Sequence, residues 1–411
     1  MTRPPLEVAD IFREHGPEYR KLQGASMSPE QHRAMRAIEI CRTATLGGHI
    51  DYCDCCGYER NSYNSCRNRN CPKCQSLARA KWIEARMAEL LPTPYFHVVF
   101  TVPREIATVA FQNMKLVYTI LFRAVSQTLR EIAADPKHIG AKIGFLAVLH
   151  TWTQTLMHHP HVHCVVPGGG LSLDHTRWLA CRPNFFLPVE VLSRMFRGKL
   201  LFYLKQAFDQ GKLKFFGDLK PLADLQAFAD FLRRNRQIEW VVYAKPPFGG
   251  PAQVLDYLGR YTHRIAISNN RLLALQDGKV TFQYKDRRNG DCKKTMTLDT
   301  HEFIRRFLIH VLPHGFAKLR YFGFLANRHR SKRLLLCRQL LNAPPPETDP
   351  QLLDWKSRHE TLTGESLDLC PVCRQGRMLL LKTLLPLWKP RTNGKRRKRS
   401  QTHSQERIHS P

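Results

Sequence analysis

Seven of the chain's thirteen cysteines fall between Cys41 and Cys74, and four of these stand as Cys53-x-x-Cys56-Gly and Cys71-Pro-x-Cys74. A turn brings residues i and i+3 together, so each pair can offer two thiolates to one ion, and two pairs can close a tetrahedral zinc site. Cys41, His49, Cys55 and Cys66 are alternative ligands or parts of a second site. A disulfide framework would need an oxidising compartment. The N-terminus lacks an apolar core of signal-peptide length, and no stretch reaches the roughly 18 apolar residues of a membrane span. The expectation is a cytoplasmic chain whose clustered thiols bind metal. Arg67, Arg69 and Lys73 lie between or inside the turns and are expected to face phosphate, ordinary solvated charge being the alternative. Cys370-x-x-Cys373 is half of a similar site with no second pair nearby. Cys337 or a His could complete it, or it could be unliganded.

The charge balance points to the partner. Lys and Arg number 64 against 34 Asp and Glu, a formal charge of +30, which suits a phosphate polymer. Nucleic acid is the expected partner, with neither a membrane nor a small-molecule substrate implied. The tail from Lys389, which contains the basic run Lys395-Arg-Arg-Lys-Arg399, is expected to be disordered.

Periodicity and breakers predict an α+β chain. A helical lead-in runs to about residue 48, and a helix spans Ser76–Leu91, stopped by Pro92 and Pro94. Tyr95–Pro103 reads as a buried strand, 104–134 as helical, and Lys142–Trp152 and His161–Val166 as a pair of strands. Helices are expected over 187–233, a strand over Ile238–Ala244, and a helix from Gly250 to His263. The Asp277-Gly278 turn joins strands Arg271–Gln276 and Lys279–Tyr284, with Lys294–Leu298 as a third. Residues 299–342 read as helical and very basic. The expected divisions are a zinc-binding domain over 1–92, a catalytic domain over 93–298, a basic helical region over 299–343, and a linker, cysteine pair and tail over 344–411.

Two further pairs suggest chemistry. In the strand carrying His161-Val162-His163, residues i and i+2 point to one face, so two imidazoles converge where a divalent ion could bind. Tyr257 and Tyr261, four apart on a predicted helix, share a face and can serve as nucleophiles for two successive transfers. A phenol of pKa near 10 is ionised to about one part in a thousand at neutral pH, so a cation must support the phenolate.

These motifs together resemble the rolling-circle transposases of the insertion-sequence-91 type, members of the HUH endonuclease superfamily, named for two histidines around a hydrophobic residue. The resemblance covers most of the chain through the two cysteine turns, Tyr63-Asn-Ser-Cys-Arg-Asn-Arg69, Phe100-Thr-Val-Pro103, Gly144-Phe-Leu-Ala-Val-Leu-His150, His159-Pro-His-Val-His163, Tyr257-Leu-Gly-Arg-Tyr-Thr-His-Arg264 and Gly323-Phe-Leu-Ala-Asn327. It implies an HUH-type antiparallel sheet flanked by helices, His161 and His163 on a Mg2+ or Mn2+ ion, and Tyr257 and Tyr261 as nucleophiles. It further implies cleavage of single-stranded DNA at element ends, within the bacterial nucleoid, with Arg260 and Arg264 beside Arg67, Arg69 and Lys73 as DNA contacts. The histidines precede the tyrosines, the order of transposases and replication initiators; conjugative relaxases have the reverse. The third metal ligand is open among Gln154, His159 and Asp256. Asn70 and Tyr321-Phe322 depart from the family's commoner His and His-Tyr. A non-catalytic zinc-dependent DNA-binding protein and a plasmid replication initiator are the rival functions.

Overall fold

The computed structural model describes residues 5–387 apart from 88, 246–252, 255–258, 260–264, 287–289, 345–355, 358–359 and 362–363. Two helices, α1 (Val8–Gln23) and α2 (Pro29–Glu39), form an antiparallel pair. Ser28 caps α2 by accepting from Gln31 N, and Gln31 returns a side-chain acceptor to Ser28 N, which satisfies two otherwise orphaned donors. The cysteine segment then makes a hairpin, β1 (Gly48–Cys53) and β2 (Glu59–Tyr63), before helix α3 (Gln75–Met87).

The central region begins with β3 (Tyr95–Thr101), α4 (Arg104–Gln112) and α5 (Met114–Ala134), followed by β4 (Gly144–Trp152) and β5 (His158–Pro167). A short ribbon, β6 (Gly169–Leu171) and β7 (Trp178–Ala180), leads to α6 (Val189–Asp209), α7 (Leu225–Gln237) and β8 (Val242–Lys245). The Asp-Gly turn joins β9 (Leu272–Gln276) to β10 (Lys279–Asp286), and β11 (Cys292–Asp299) pairs beyond it. Then come α8 (Thr300–Leu308), β12 (Leu319–Gly323), α9 (Arg330–Leu340) and β13 (Met378–Leu384).

Five strands in the order β12-β4-β5-β3-β8 make one antiparallel sheet. The expected β4–β5 pairing is present, with His150 opposite His161 and Val148 opposite His163. Strand alternation then sorts the side chains. Phe96, Val98, Phe100, Phe145, Ala147, Leu149, Val162, Cys164 and Val166 all enter one core with α4, α5, α6 and α7. Each fully buried Phe or Val there contributes about 1.5–3 kcal/mol relative to exposure. The other face carries His97, His150, His161 and His163 and a smaller apolar cluster of Tyr95, Leu146, Val148, Val165 and Val254. One face is therefore structural, and the other is free to hold polar chemistry.

One expectation is corrected by this topology. Residues 299–342 are not helical throughout, because Leu319–Gly323 pairs with β4 and completes the five-stranded sheet. Leu319 and Tyr321 pack on the histidine face while Phe322 stacks on Phe145 at 5.1 Å on the other, an alternation only a strand allows. Gly323 ends the strand at φ +62, where a Cβ would lie 1.8 Å from Ile143 O. The N-terminal helices also pack on a later part of the chain. Phe12 packs edge-on against Phe307 at 5.3 Å, and α1 and α2 share one core with Phe282, Phe303 and Phe307.

Candidate metal centres and the histidine face

Among the described residues, three groups bring metal-binding side chains together, with the ligand atoms of each group within 4.8 Å of one another: Cys41, Cys66, Cys71 and Cys74; Cys53, Cys56, Cys370 and Cys373; and His150, His161 and His163. The single Cys53, Cys56, Cys71, Cys74 site expected from spacing is thus corrected into two. Cys53 ends β1 and Cys56 sits in the turn at the hairpin tip, whereas Cys71 and Cys74 meet Cys41 and Cys66 at its base. The intervening β-hairpin separates the two turns.

The sulfur geometry of the first group fits zinc. Cys74 Sγ lies 3.5 Å from Cys41 Sγ and 3.6 Å from Cys66 Sγ. A disulfide needs about 2.05 Å, while tetrahedral Zn–S bonds of about 2.3 Å place sulfurs about 3.8 Å apart. Cys66 N and Asn68 N donate to Cys41 Sγ and Cys66 Sγ at 3.5 Å. Such donors favour thiolates, the form that binds metal.

The histidine group sits on β4 and β5. His150 and His163 are buried at 2% and 8% exposure, and their ring centroids are 4.5 Å apart, with His161 and His163 at 4.8 Å. His161 Nδ1 lies 2.7 Å from its neighbour's carbonyl, His159 O. Donation there puts the proton on Nδ1 and leaves the Nε2 lone pair for an ion. His163 Nδ1 meets His97 Nε2 at 2.9 Å with the rings within 7° of coplanar. If Nδ1–H of His163 donates, its Nε2 also becomes a ligand, so His97 fixes the tautomer from β3. His97→Leu is expected to weaken Mn2+ binding roughly 10–100-fold, and His97→Gln, which keeps an acceptor, to restore most of it. Calorimetric titration showing unchanged affinity in His97→Leu would dismiss that positioning role.

His150 is the candidate ligand that sequence reasoning missed. Of the three candidates named for the third position, Asp256 lies outside the described residues. Gln154 and His159 stand outside the histidine group: Gln154 O accepts from Arg271, and His159 O accepts from His161 while the His159 ring lies 5.4 Å from that of His161. Tyr257, Tyr261, Arg260 and Arg264 also lie outside the described residues. Their described neighbours are informative. Val254 is buried in the cluster on the histidine face, and a Cβ on Gly259 would meet Ile83 of α3, which packs on that cluster.

The basic residues divide. Arg69, expected to face phosphate, is instead turned inward and donates to Phe316 O at 2.7 Å, Leu312 O at 3.2 Å and Pro313 O at 3.4 Å. Lys73 forms a buried ion pair with Glu7 at 2.6 Å. Both expectations are corrected: carbonyls and a carboxylate of this chain occupy these cations. Arg67 is exposed and remains available. Arg69→Ala is expected to lower folding stability by about 2 kcal/mol through orphaned carbonyls with little change in DNA affinity. Arg67→Ala should leave the melting temperature in place and reduce the salt slope of DNA binding by about one. Thermal melts and salt titrations giving the opposite assignment would reverse these roles.

A thiolate-rich N-terminal module joined to a histidine-bearing antiparallel sheet is the arrangement of a DNA transposase. The family model described as "Transposase zinc-binding domain" matches residues 11–102, and that described as "Putative transposase" matches residues 144–333. The protein "Putative transposase y4qJ" of Sinorhizobium fredii is 59% identical over 384 residues, 93% of this chain and 96% of that one. "Transposase for insertion sequence element IS801" of Pseudomonas savastanoi pv. phaseolicola is 29% identical over 321 residues, 76% of this chain and 74% of that one. The chain belongs to the insertion-sequence-91-type transposases. Among solved structures, the conjugative relaxase TrwC in complex with OriT DNA aligns over 60% of this chain and 73% of that one, at 13% identity and a TM-score of 0.23, too weak a likeness to carry an argument. No described helix is long and apolar enough to cross a membrane.

Proposed function

We propose that this transposase cleaves and rejoins single-stranded DNA at insertion-sequence ends through tyrosine, with the histidine face as its catalytic centre. The observation that carries the reading is the convergence of His150, His161 and His163 on one face of the central sheet, the face on which Val254 is buried. Three converging imidazoles suit a divalent ion, Mg2+ or Mn2+, with positions left for phosphate oxygens. When bound, such an ion would draw charge from the scissile phosphate and favour the phenolate. Zinc is assigned to Cys41, Cys66, Cys71 and Cys74, within the matched zinc-binding domain.

The chain's own residues do the rest. A tyrosine oxygen attacks phosphorus, the P–O3′ bond breaks, and the enzyme holds a 5′-phosphotyrosine while the leaving oxygen takes a proton to become a free 3′-hydroxyl. The phenolic proton passes to solvent. Because an ester replaces an ester, attack by a 3′-hydroxyl reverses the step without ATP. Two tyrosines permit two such exchanges in succession, which strand transfer between an element end and a target requires. Arg67, Arg260 and Arg264 are proposed to hold the DNA backbone.

The test is incubation with labelled single-stranded element-end DNA and Mn2+, followed by denaturing electrophoresis and mass spectrometry. A denaturant-resistant adduct, lost with chelator and in His161→Ala/His163→Ala, is expected. Tight DNA binding without any adduct on end sequences would instead establish a non-catalytic DNA-binding protein.

A further inference from the structure

We propose that Cys53, Cys56, Cys370 and Cys373 bind a second structural zinc ion that clasps the C-terminal ribbon onto the N-terminal module. The match to the transposase zinc-binding domain ends at residue 102 and so contains only half of this ligand set. Cys53 Sγ lies 3.6 Å from Cys373 Sγ, and Cys56 Sγ 3.7 Å from Cys370 Sγ, across 314 residues of chain. These spacings exclude a disulfide and match the edge of a tetrahedral thiolate site, about 3.8 Å.

Both cysteine turns are built alike. Cys55 N and Cys56 N donate to Cys53 Sγ at 3.4 Å, and Gly376 N donates to Cys373 Sγ at 3.3 Å. Gly57 follows the first pair at φ +70, letting the turn close. Gly376 stands so near the sulfurs that a Cβ would lie 2.4 Å from Cys53 Sγ. Asp54 and Arg377 tie the two turns together, Asp54 N donating to Arg377 O and Arg377 N to Asp54 Oδ1.

The packing shows why a metal is needed. β13 adds to β1 along its whole length, from Gly48 opposite Leu384 to Cys53 opposite Met378. Yet the apolar cluster beneath this join consists of Cys53, Cys370 and Met378 with Cys373 against them. Leu379, Leu380 and Leu381 are 43%, 64% and 51% exposed. A three-stranded sheet with so little buried apolar face is marginal by itself. Small domains in that position take their folding energy from metal ligation. The ion thus replaces a core, and the module is complete only when both ends of the chain are present.

The experiment counts sulfur-bound ions in the full-length protein. After cobalt(II) replaces zinc, the thiolate charge-transfer absorption reports sulfur-ligated ions and is silent on the histidine site. Two such ions per chain are expected, falling to one, with half the absorbance, in Cys370→Ser/Cys373→Ser. Cys373→His should keep two bound ions, since zinc accepts three thiolates and an imidazole. Alkylation mapping of the wild-type protein covers the case in which the serine variant does not fold. Cys53, Cys56, Cys370 and Cys373 should resist modification until chelator is added and then react together. One sulfur-bound ion in the wild type, with Cys370 and Cys373 modified in the native protein, would overturn the proposal.

Discussion

Tyr257→Phe/Tyr261→Phe is expected to abolish the covalent protein–DNA adduct and to lower strand cleavage by about 10³-fold or more. Phenylalanine removes one oxygen and keeps the ring, so packing and DNA affinity should change little. Residual cutting at the level of water attack would come from DNA and ion binding alone. The single variants separate the two exchanges. Whichever tyrosine acts first, its replacement should erase the first adduct, while replacing the other should let that adduct accumulate without a joined product. The basis lies on either side of Tyr257 in sequence: Val254 is buried against the histidine face, and a Cβ on Gly259 would meet Ile83 of α3, which packs on the same cluster. An adduct that persists at full yield in the double variant would place the nucleophile elsewhere.

Much of the catalytic sheet could be read from sequence because its signals are local. Proline-bounded β-branched runs mark β3, and the spacing of His161 and His163 marks the histidine face of β5. The Asp277-Gly278 turn fixes the β9–β10 hairpin, whose register runs from Gln276 opposite Lys279. β12 was not legible. Leu319–Gly323 is five residues long and embedded in basic surroundings, and it becomes a strand by pairing with β4, some 170 residues earlier. Tertiary pairing, not propensity, decides such a segment.

The cysteines show the same division between local and distant information. Spacing correctly identifies turns that present thiols in pairs, because a turn is a property of four residues. It cannot say which turns share an ion. Adjacency in sequence suggested Cys53 and Cys56 with Cys71 and Cys74, but the β1–β2 hairpin carries the first pair to its tip, where Cys370 and Cys373 meet it. Arg69 and Lys73 fail as DNA contacts for a related reason. A cation beside a metal turn is attractive to phosphate and equally to any carbonyl or carboxylate the fold brings near. Phe316 O and Glu7 are that competition, and both come from segments remote in sequence.

His150→Ala is expected to lower both Mn2+ affinity and cleavage by about 10²–10³-fold, the scale of losing one of three protein ligands and part of the ion's charge stabilisation. Its role was within reach of the sequence: with β4 and β5 paired as a hairpin, an even-numbered run of Leu146, Val148 and His150 shares a face, and register sets His150 against His161. The imidazole is buried at 2% exposure and stacks on Trp152 at 4.8 Å, so its position is fixed before any ion arrives. Gln154→Ala should cost less than about threefold, because its backbone carbonyl survives the change, and a hydrogen bond kept intact leaves ligand geometry in place. Raising Mn2+ should restore much of the His150→Ala activity if affinity is the main loss, and none of the activity of the double tyrosine variant. Cleavage in His150→Ala that matches the wild type at limiting Mn2+ would remove His150 from the site and return the third position to Asp256.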